Sequence, residues 1–114
     1  MKFKAFAHAL TAVGALTALP AQAQVEVQWW HSMSGQLGEW VNGLAKDFNA
    51  SQKDYVIVPT YKGTYSEAFT AAMAAYRAGN APDILQVYEV GTATMMAAKG
   101  AVVPVGKVLA DAGY

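Results

Sequence analysis

Residues 55–67 read YVIVPTYKGTYSE, and this stretch joins a strand pattern to a helix start. The β-branched and aromatic residues 55–61 predict a strand. Pro59 has no N–H to donate to a ladder, so it indicates an edge strand, a bulge or the end of the strand. Thr64 and Glu67 have the spacing of a capping box, which predicts a helix beginning at Thr64. A strand that leads through a glycine turn into a helix is the repeating unit of α/β folds.

The upstream residues repeat this strand–helix alternation. Residues 25–30 (VEVQWW) predict a strand that enters a core. Ser34 then predicts a helix N-cap, and Asn49 predicts the end of that helix. Between them, six apolar residues recur at helical spacing and predict one apolar face. They are Leu37, Trp40, Val41, Leu44, Ala45 and Phe48.

The alternation continues downstream of the capping box. The second helix is predicted to end at Gly79-Asn80, and residues 83–89 predict a third strand. Thr92 predicts the cap of a short helix that stops at Gly100, and a further helix begins near the end of the chain. The order βαβαβα predicts an α/β fold whose strands are parallel and joined by right-handed crossovers.

The first residues have the three parts of a cleavable secretion signal. Lys2 and Lys4 form the positive region, residues 5–19 the apolar region, and residues 21–23 (AQA) the small-x-small cleavage pattern. The apolar region is shorter than the roughly 20 residues that a transmembrane helix needs. The chain also contains no cysteine, so no lipoprotein anchor is predicted. We therefore expect cleavage after Ala23, which makes residues 1–23 a signal peptide, and export across the inner membrane.

Composition limits the classes of partner for the mature residues 24–114. After cleavage, six basic residues remain against eight acidic ones, so the chain is slightly negative and offers no basic stripe for nucleic acid. Without cysteine, stability has to come from the core alone. Three parallel strands with their helices make a poor independent domain, so we expect residues 24–114 to be part of a larger one.

Ligands of open parallel α/β sheets bind at the carboxyl ends of the strands, beside the N-termini of the following helices. Three segments there combine polar or aromatic residues with a glycine, at 31–35, 62–65 and 89–92. Glu89 is a candidate for accepting hydrogen bonds from ligand hydroxyls, and equally for a charge that only stabilises a helix N-terminus. Tyr65 is a candidate pocket wall and hydrogen-bond donor, or an aromatic residue that packs on the sheet edge.

Trp30, His31 and Ser32 are candidate neighbours of such a site. Trp29 and Trp30 point to opposite faces of a strand, so we expect one in the core and one near the cleft. His31 has no second His, Cys or carboxylate at metal-ligand spacing, which favours a structural hydrogen bond over metal ligation. The sequence has no nucleophile elbow, no HExxH and no phosphate-binding glycine loop. We therefore expect no catalytic residue, no metal and no cofactor.

Three stretches resemble one family of receptors. They are residues 30–33 (WHSM), 57–65 (IVPTYKGTY) and 79–97 (GNAPDILQVYEVGTATMMA). The GNAPD pattern is general to sugar-binding receptors, whereas the QVYEVGTATMM run is much more specific. Together they resemble the periplasmic sn-glycerol-3-phosphate-binding proteins of ABC importers, within family 1 of the extracellular solute-binding proteins. The resemblance extends through the mature chain and covers the N-terminal portion of a full-length member.

The resemblance implies the type II periplasmic-binding-protein fold, in which two α/β lobes are joined by a hinge and close around the ligand. Residues 24–114 would be a partial N-terminal lobe of a monomeric receptor in the periplasm. The receptor would pass sn-glycerol 3-phosphate or glycerophosphodiesters to permease and ATPase subunits, without chemistry. Tyr65 and Glu89 match ligand-binding positions of the family. Glu89 would accept from glycerol hydroxyls, because a carboxylate repels the phosphate, and Tyr65 would donate a hydrogen bond or pack against the ligand.

Other interpretations stay open at this point. A receptor for an uncharged oligosaccharide or another polyol would favour aromatic stacking over phosphate donors. A secreted hydrolase would use Glu89 in catalysis, and a truncated product would have no function. We also expect residues 24–114 alone to lack the affinity of the family, since half of the cleft would be missing.

Overall fold

The computed structural model describes residues 23–114, and the signal peptide predicted for residues 1–23 lies outside this range except for Ala23. Within the described range the chain forms three strands and four helices in the order βαβαβαα. The strands are β1 (Val25–His31), β2 (Tyr55–Tyr61) and β3 (Ile84–Leu85), and the helices are α1 (Gly35–Ser51), α2 (Tyr65–Arg77), α3 (Glu89–Ala97) and α4 (Val105–Asp111). The predicted α/β class is thus confirmed. None of the helices in this range combines the length and apolar character needed to cross a membrane.

The three strands of the described range form one parallel sheet in the order β2-β1-β3. In the register, Val25 pairs with Tyr55 at one end of β1 and His31 pairs with Tyr61 at the other. Because all strands run in the same direction, their carboxyl ends meet at one edge of the sheet. We call this the carboxyl edge, and it comprises the loops 32–34, 62–64 and 86–88. The predicted parallel arrangement is confirmed.

The third strand is much shorter than predicted. It covers Ile84–Leu85 instead of residues 83–89, and Glu89 begins a helix instead of ending a strand. The chain leaves the sheet at Gln86, whose N–H donates to the Trp30 carbonyl at 2.9 Å. The apolar alternation that continues as far as Tyr88 reflects side-chain packing and not strand pairing.

The predicted cap of the third helix is also wrong. Thr92 lies inside α3, and the N-cap position belongs to Tyr88. The Thr92 hydroxyl donates back to the Tyr88 carbonyl at 3.3 Å. Threonine makes this i−4 bond when it lies within a helix, so its presence near a helix start does not identify the cap.

Helix α2 begins and ends where the sequence predicts. The Thr64 Oγ1 accepts the Glu67 N–H at 3.3 Å, and Glu67 Oε2 accepts the Thr64 N–H at 2.7 Å and the Thr64 hydroxyl at 2.8 Å. This reciprocal pair satisfies backbone donors that the helix itself leaves free. At the other end Gly79 has φ of 76°, the left-handed conformation that closes a helix most easily with glycine.

Helix α1 runs past its predicted end and protects the outer edge of β2. Ser34 is the N-cap by position, although its hydroxyl makes no capping bond. The Asn49 amide donates to the Ile57 carbonyl at 2.9 Å and accepts the Ile57 N–H at 2.8 Å. The Gln52 amide pairs in the same way with Tyr55, at 2.7 and 2.8 Å. These two amides thus form the hydrogen bonds that a neighbouring strand would otherwise form with Ile57 and Tyr55.

Pro59 completes the protection of that edge. It lies in the middle of β2, paired with Trp29, and β2 is an outer strand of the described sheet. Since Ile57 and Tyr55 turn their backbone groups outward, Pro59 does so as well, two residues further along. It has no N–H to expose there. Pro59 was compatible with an edge strand, a bulge or the end of a strand, and the structure shows the first of these.

The buried apolar residues come from three helices. In the described range they are Val41, Ala45, Ala68, Ala72, Ala75 and Met95. Only two members of the apolar face predicted for α1 are therefore buried. Its larger members are exposed to solvent, including Trp40 with 63% of its surface exposed. Periodicity predicts an apolar face but does not say whether another element covers it.

Candidate ligand-binding site

The loops of the carboxyl edge are tied together around the end of β1. Because β1 is the central strand, its loop 32–34 lies between the other two. The Lys62 N–H donates to the His31 carbonyl at 2.9 Å on one side. On the other side Gln86 Oε1 accepts the Ser32 N–H at 2.9 Å. The edge is thus a connected surface and not three independent turns, as the predicted convergence of loops requires.

Two tyrosine rings connect the outer parts of this surface. Tyr65 is the first residue of α2, and Tyr88 is the N-cap of α3. Their rings stack with centroids 5.4 Å apart and an interplanar angle of 28°. Since α2 follows β2 and α3 follows β3, the pair bridges elements that follow the two outer strands. Tyr88 is a site residue that sequence reasoning missed, because its stacking partner lies on another element.

Glu89 follows Tyr88 directly and is the first residue of α3. Its side chain is exposed, and it forms no hydrogen bond or ion pair with another side chain or with backbone in residues 23–114. A carboxylate at this position is stabilised by the helix dipole and remains free to accept hydrogen bonds. The Tyr65–Tyr88 stack therefore places both predicted ligand-binding residues, Tyr65 and Glu89, in one part of the edge.

Trp30 lies near the same edge, and its ring contacts the ammonium of a lysine. The Lys62 Nζ is 3.9 Å from the centroid of the Trp30 ring. Trp30 pairs in register with Thr60, and Lys62 lies two positions beyond Thr60 on the same face. Sequence reasoning missed Lys62, although the parallel register would have placed it next to Trp30.

His31 has a packing role at the end of β1. It is 3% exposed, and its ring contacts those of Trp29 and Tyr61 at centroid distances of 6.0 and 6.1 Å. The Met33 N–H donates to His31 Nδ1 at 3.3 Å. Burial lowers the pKa of His31 below its ordinary value of 6.5, so the neutral ring is favoured. Within residues 23–114, no group of three or more His, Cys, Asp or Glu side chains is arranged to hold a metal ion.

Ser32 lies at the centre of the carboxyl edge. Its hydroxyl is shielded from solvent and has no hydrogen-bond partner among the described residues. Its N–H is occupied by Gln86. A buried hydroxyl without a partner is costly, so this group has unused capacity for a hydrogen bond. Trp30, His31 and Ser32 all lie near the candidate site, and Ser32 contributes a shielded hydroxyl without a partner.

The chain has close relatives among characterised binding proteins, while no family model matches it. The sn-glycerol-3-phosphate-binding periplasmic protein UgpB of Pectobacterium atrosepticum is 59% identical over 99 residues, which are 87% of this chain and 22% of the relative. The protein of the same name from Escherichia coli O1:K1 is 52% identical over 113 residues, 99% of this chain and 26% of the relative. The one from Escherichia coli K12 is 59% identical over 93 residues, 82% of this chain and 21% of the relative.

This chain spans about a quarter of the length of the relatives that it matches. The matched part includes nearly all of the chain, and so the strands, helices and loops that build the carboxyl edge. Identity above one half over such a stretch confirms the resemblance predicted from the sequence. Over the length that it spans, the chain is therefore similar to the sn-glycerol-3-phosphate-binding periplasmic proteins.

Proposed function

We propose that this chain is part of a periplasmic receptor that binds sn-glycerol 3-phosphate, and glycerophosphodiesters, for an ABC importer. The observation that carries the proposal is the identity of 52–59% to receptors named for this ligand. Residues 24–114 form part of the N-terminal lobe in a two-lobe fold of type II, and residues 1–23 are the cleaved signal peptide. The receptor is a monomer that performs no chemistry and delivers its ligand to permease and ATPase subunits.

The free carboxylate of Glu89 supports binding of a polyol. A carboxylate that is not used by the fold can accept hydrogen bonds from ligand hydroxyls, and bonds to a charged acceptor are about twice as strong as neutral ones. The same charge repels a phosphate. Glu89 therefore binds the glycerol end of the ligand, and the phosphate lies away from it.

The tyrosine pair supports a preformed wall beside Glu89. Stacking on Tyr88 restricts the ring of Tyr65 before any ligand arrives, which reduces the entropy lost on binding. The Tyr65 hydroxyl forms no hydrogen bond with residues 23–114, so it can donate to the ligand. Ser32 offers a second unused hydroxyl nearby, and Trp30 and His31 support the floor of the edge.

Titration calorimetry on the protein, in the full length that its reading frame encodes, tests this function. We expect sn-glycerol 3-phosphate to bind and an uncharged oligosaccharide such as maltotriose not to bind. The reverse result would establish the oligosaccharide receptor instead. Residues 24–114 alone should bind neither tightly, because the opposing lobe completes the cleft.

The hydrolase alternative has its own measurement. Incubation with glycerophosphodiesters should release no alcohol, since the role assigned to Glu89 is hydrogen bonding alone. Product formation that disappears in Glu89→Gln and persists in Asp47→Asn would contradict the receptor. Asp47 is a matched control because it is an exposed acid in the second half of α1, away from the carboxyl edge.

A further inference from the structure

The carboxyl edge holds a positive charge that the proposed contacts of Tyr65 and Glu89 leave unused. Lys62 follows β2, and its Nζ lies 3.9 Å from the centroid of the Trp30 ring. This cation–π contact attracts the ammonium to the ring face and limits the rotamers of a long side chain. Lys62 is also partly buried, unlike an ordinary surface lysine. Its charge therefore has a defined position at the edge.

This charge is not neutralised by the described part of the protein. Within residues 23–114 Lys62 forms no ion pair, whereas Lys107 pairs with Asp111. Lys62 is also the one basic residue in loops 32–34, 62–64 and 86–88, all of which the structure describes. The Lys62 ammonium is fixed in position and has no carboxylate partner, although the same surface carries a free glutamate. We therefore expect it to attract an anion from outside this part of the chain.

The proposed ligand has such an anion. A phosphate monoester carries a charge of about −1.5 to −2 near neutral pH, and Glu89 on the same edge opposes it. We propose that Lys62, positioned by Trp30, is the specificity determinant through which this lobe favours ligands with a phosphate dianion. This inference rests on the proposed function and adds the group that selects for charge. Trp30 acts as the positioning residue.

The effect of Lys62 is electrostatic and does not require direct contact with the phosphate. Coulomb interactions act over several ångströms and are stronger where a surface is partly shielded from water. The free energy of such an interaction scales with the charge of the ligand. A dianionic monoester should therefore gain more from Lys62 than a monoanionic diester with the same glycerol part.

Calorimetry with two ligands on the full-length protein tests this. At about pH 8 sn-glycerol 3-phosphate is a dianion and its methyl diester a monoanion. Lys62→Gln should weaken binding of the monoester about tenfold and binding of the diester about threefold. Each unit of charge on the ligand is worth roughly a factor of three in affinity at an exposed edge. Lys62→Arg should retain the difference between the ligands. Lys53→Gln, which removes an equal charge before β2, should change neither affinity.

Trp30→Leu distinguishes the effect of the position of the Lys62 ammonium from the effect of its charge. It keeps the ammonium but removes the ring that holds it, so the preference for the monoester should fall while the Lys62 charge is still present. High salt should weaken monoester binding more in the parent protein than in Lys62→Gln. Should Lys62→Gln fail to fold, the Trp30→Leu and salt measurements decide the question.

The outcomes are distinguishable from those that test the function itself. An equal loss for both ligands in Lys62→Gln, or no loss for either, overturns the role of Lys62 and leaves the receptor intact. A parent protein that binds neither ester overturns the proposed function and this inference with it.

Discussion

The N-termini of α2 and α3 both carry a glutamate in the first turn, and the surroundings of the two carboxylates differ. Glu67 accepts hydrogen bonds from the backbone and hydroxyl of Thr64. It also lies against Gly63, where φ is 83° and a Cβ would meet the Glu67 carboxylate. Glu89 has no such neighbours among residues 23–114. A glutamate in the first helical turn is occupied by the fold at N3 of α2 and left free at N1 of α3.

The cap residue and the position of the glutamate relative to it explain this difference. Thr64 has a hydroxyl that can take part in a reciprocal bond, so the first turn of α2 closes on itself. Tyr88 caps α3 by backbone conformation alone, and its ring stacks on Tyr65. Glu89 lies directly after its cap, at N1, so it does not hold the N3 position from which Glu67 reaches back to the backbone of Thr64. The closed turn stabilises a helix, and the open turn is available to a ligand.

Glu89→Gln is the change with the largest expected effect. We expect affinity for sn-glycerol 3-phosphate to fall about 10- to 100-fold, because hydrogen bonds to a charged group contribute about 1.5–3 kcal/mol. The melting temperature without ligand should fall only slightly, because the carboxylate loses its interaction with the dipole of α3 and no hydrogen bond within the fold. Calorimetry and thermal unfolding of the full-length protein measure both, and a stability loss without a binding loss would reverse the roles assigned to the two glutamates.

Thr64→Ala should show the opposite pattern. Loss of an N-cap costs about 1 kcal/mol of stability. We expect a lower melting temperature and faster hydrogen exchange in the first turn of α2. Thr94→Ala is the matched control, because Thr94 is exposed within α3 and caps nothing. Equal melting temperatures for the two variants would contradict a structural role for the Thr64–Glu67 pair.

Tyr88→Leu should have a smaller effect on binding. The variant keeps an apolar side chain but removes the stack, which is worth about 0.5–1.5 kcal/mol beyond the buried area. Part of that energy positions Tyr65, so we expect affinity to fall about threefold, within the range that this energy allows. Tyr88→Phe keeps the ring and should bind like the parent. If Phe and Leu variants bind equally well, the stack does not prepare the site.

The smallest effect is expected in acid. Hydrogen bonds from the backbone and side chain of Thr64 lower the pKa of Glu67 from its ordinary value of 4.5. The ionised form is thus favoured in the folded state, and its contribution is fully present above pH 4.5 and is lost as the pH falls through the lowered pKa. Melting temperatures measured below pH 4.5 should fall less steeply in Glu67→Gln than in the parent. A parallel course of Glu67→Gln and the parent would contradict the assigned hydrogen bonds.

Features that depend on residues close in sequence were predictable. The Thr64–Glu67 box, the αL glycine at Gly79 and the edge position of Pro59 each follow from the chemistry of one or two nearby residues. Tyr65 and Glu89 were candidates because both follow strand patterns. The resemblance to known receptors then assigned them a ligand.

Features that depend on distant residues were not predictable in the same way. The early end of β3 is followed by Gln86, which bonds to the end of β1 through both backbone and side chain. The Tyr65–Tyr88 stack and the Lys62–Trp30 contact join elements that are separate in the sequence. The exposed face of α1 shows the same limit, since an apolar pattern does not say what covers it.

The amides that line the outer edge of β2 have a consequence for behaviour at high concentration. Exposed strand edges are templates for pairing with another molecule, and such pairing leads to aggregation or domain swapping. Asn49 and Gln52 already occupy the outward groups of Ile57 and Tyr55, and Pro59 has no N–H to offer. A foreign strand would have to displace two bidentate amides before it could pair with Tyr55 or Ile57. Much of one flank of the described sheet is thus closed against other copies of this chain.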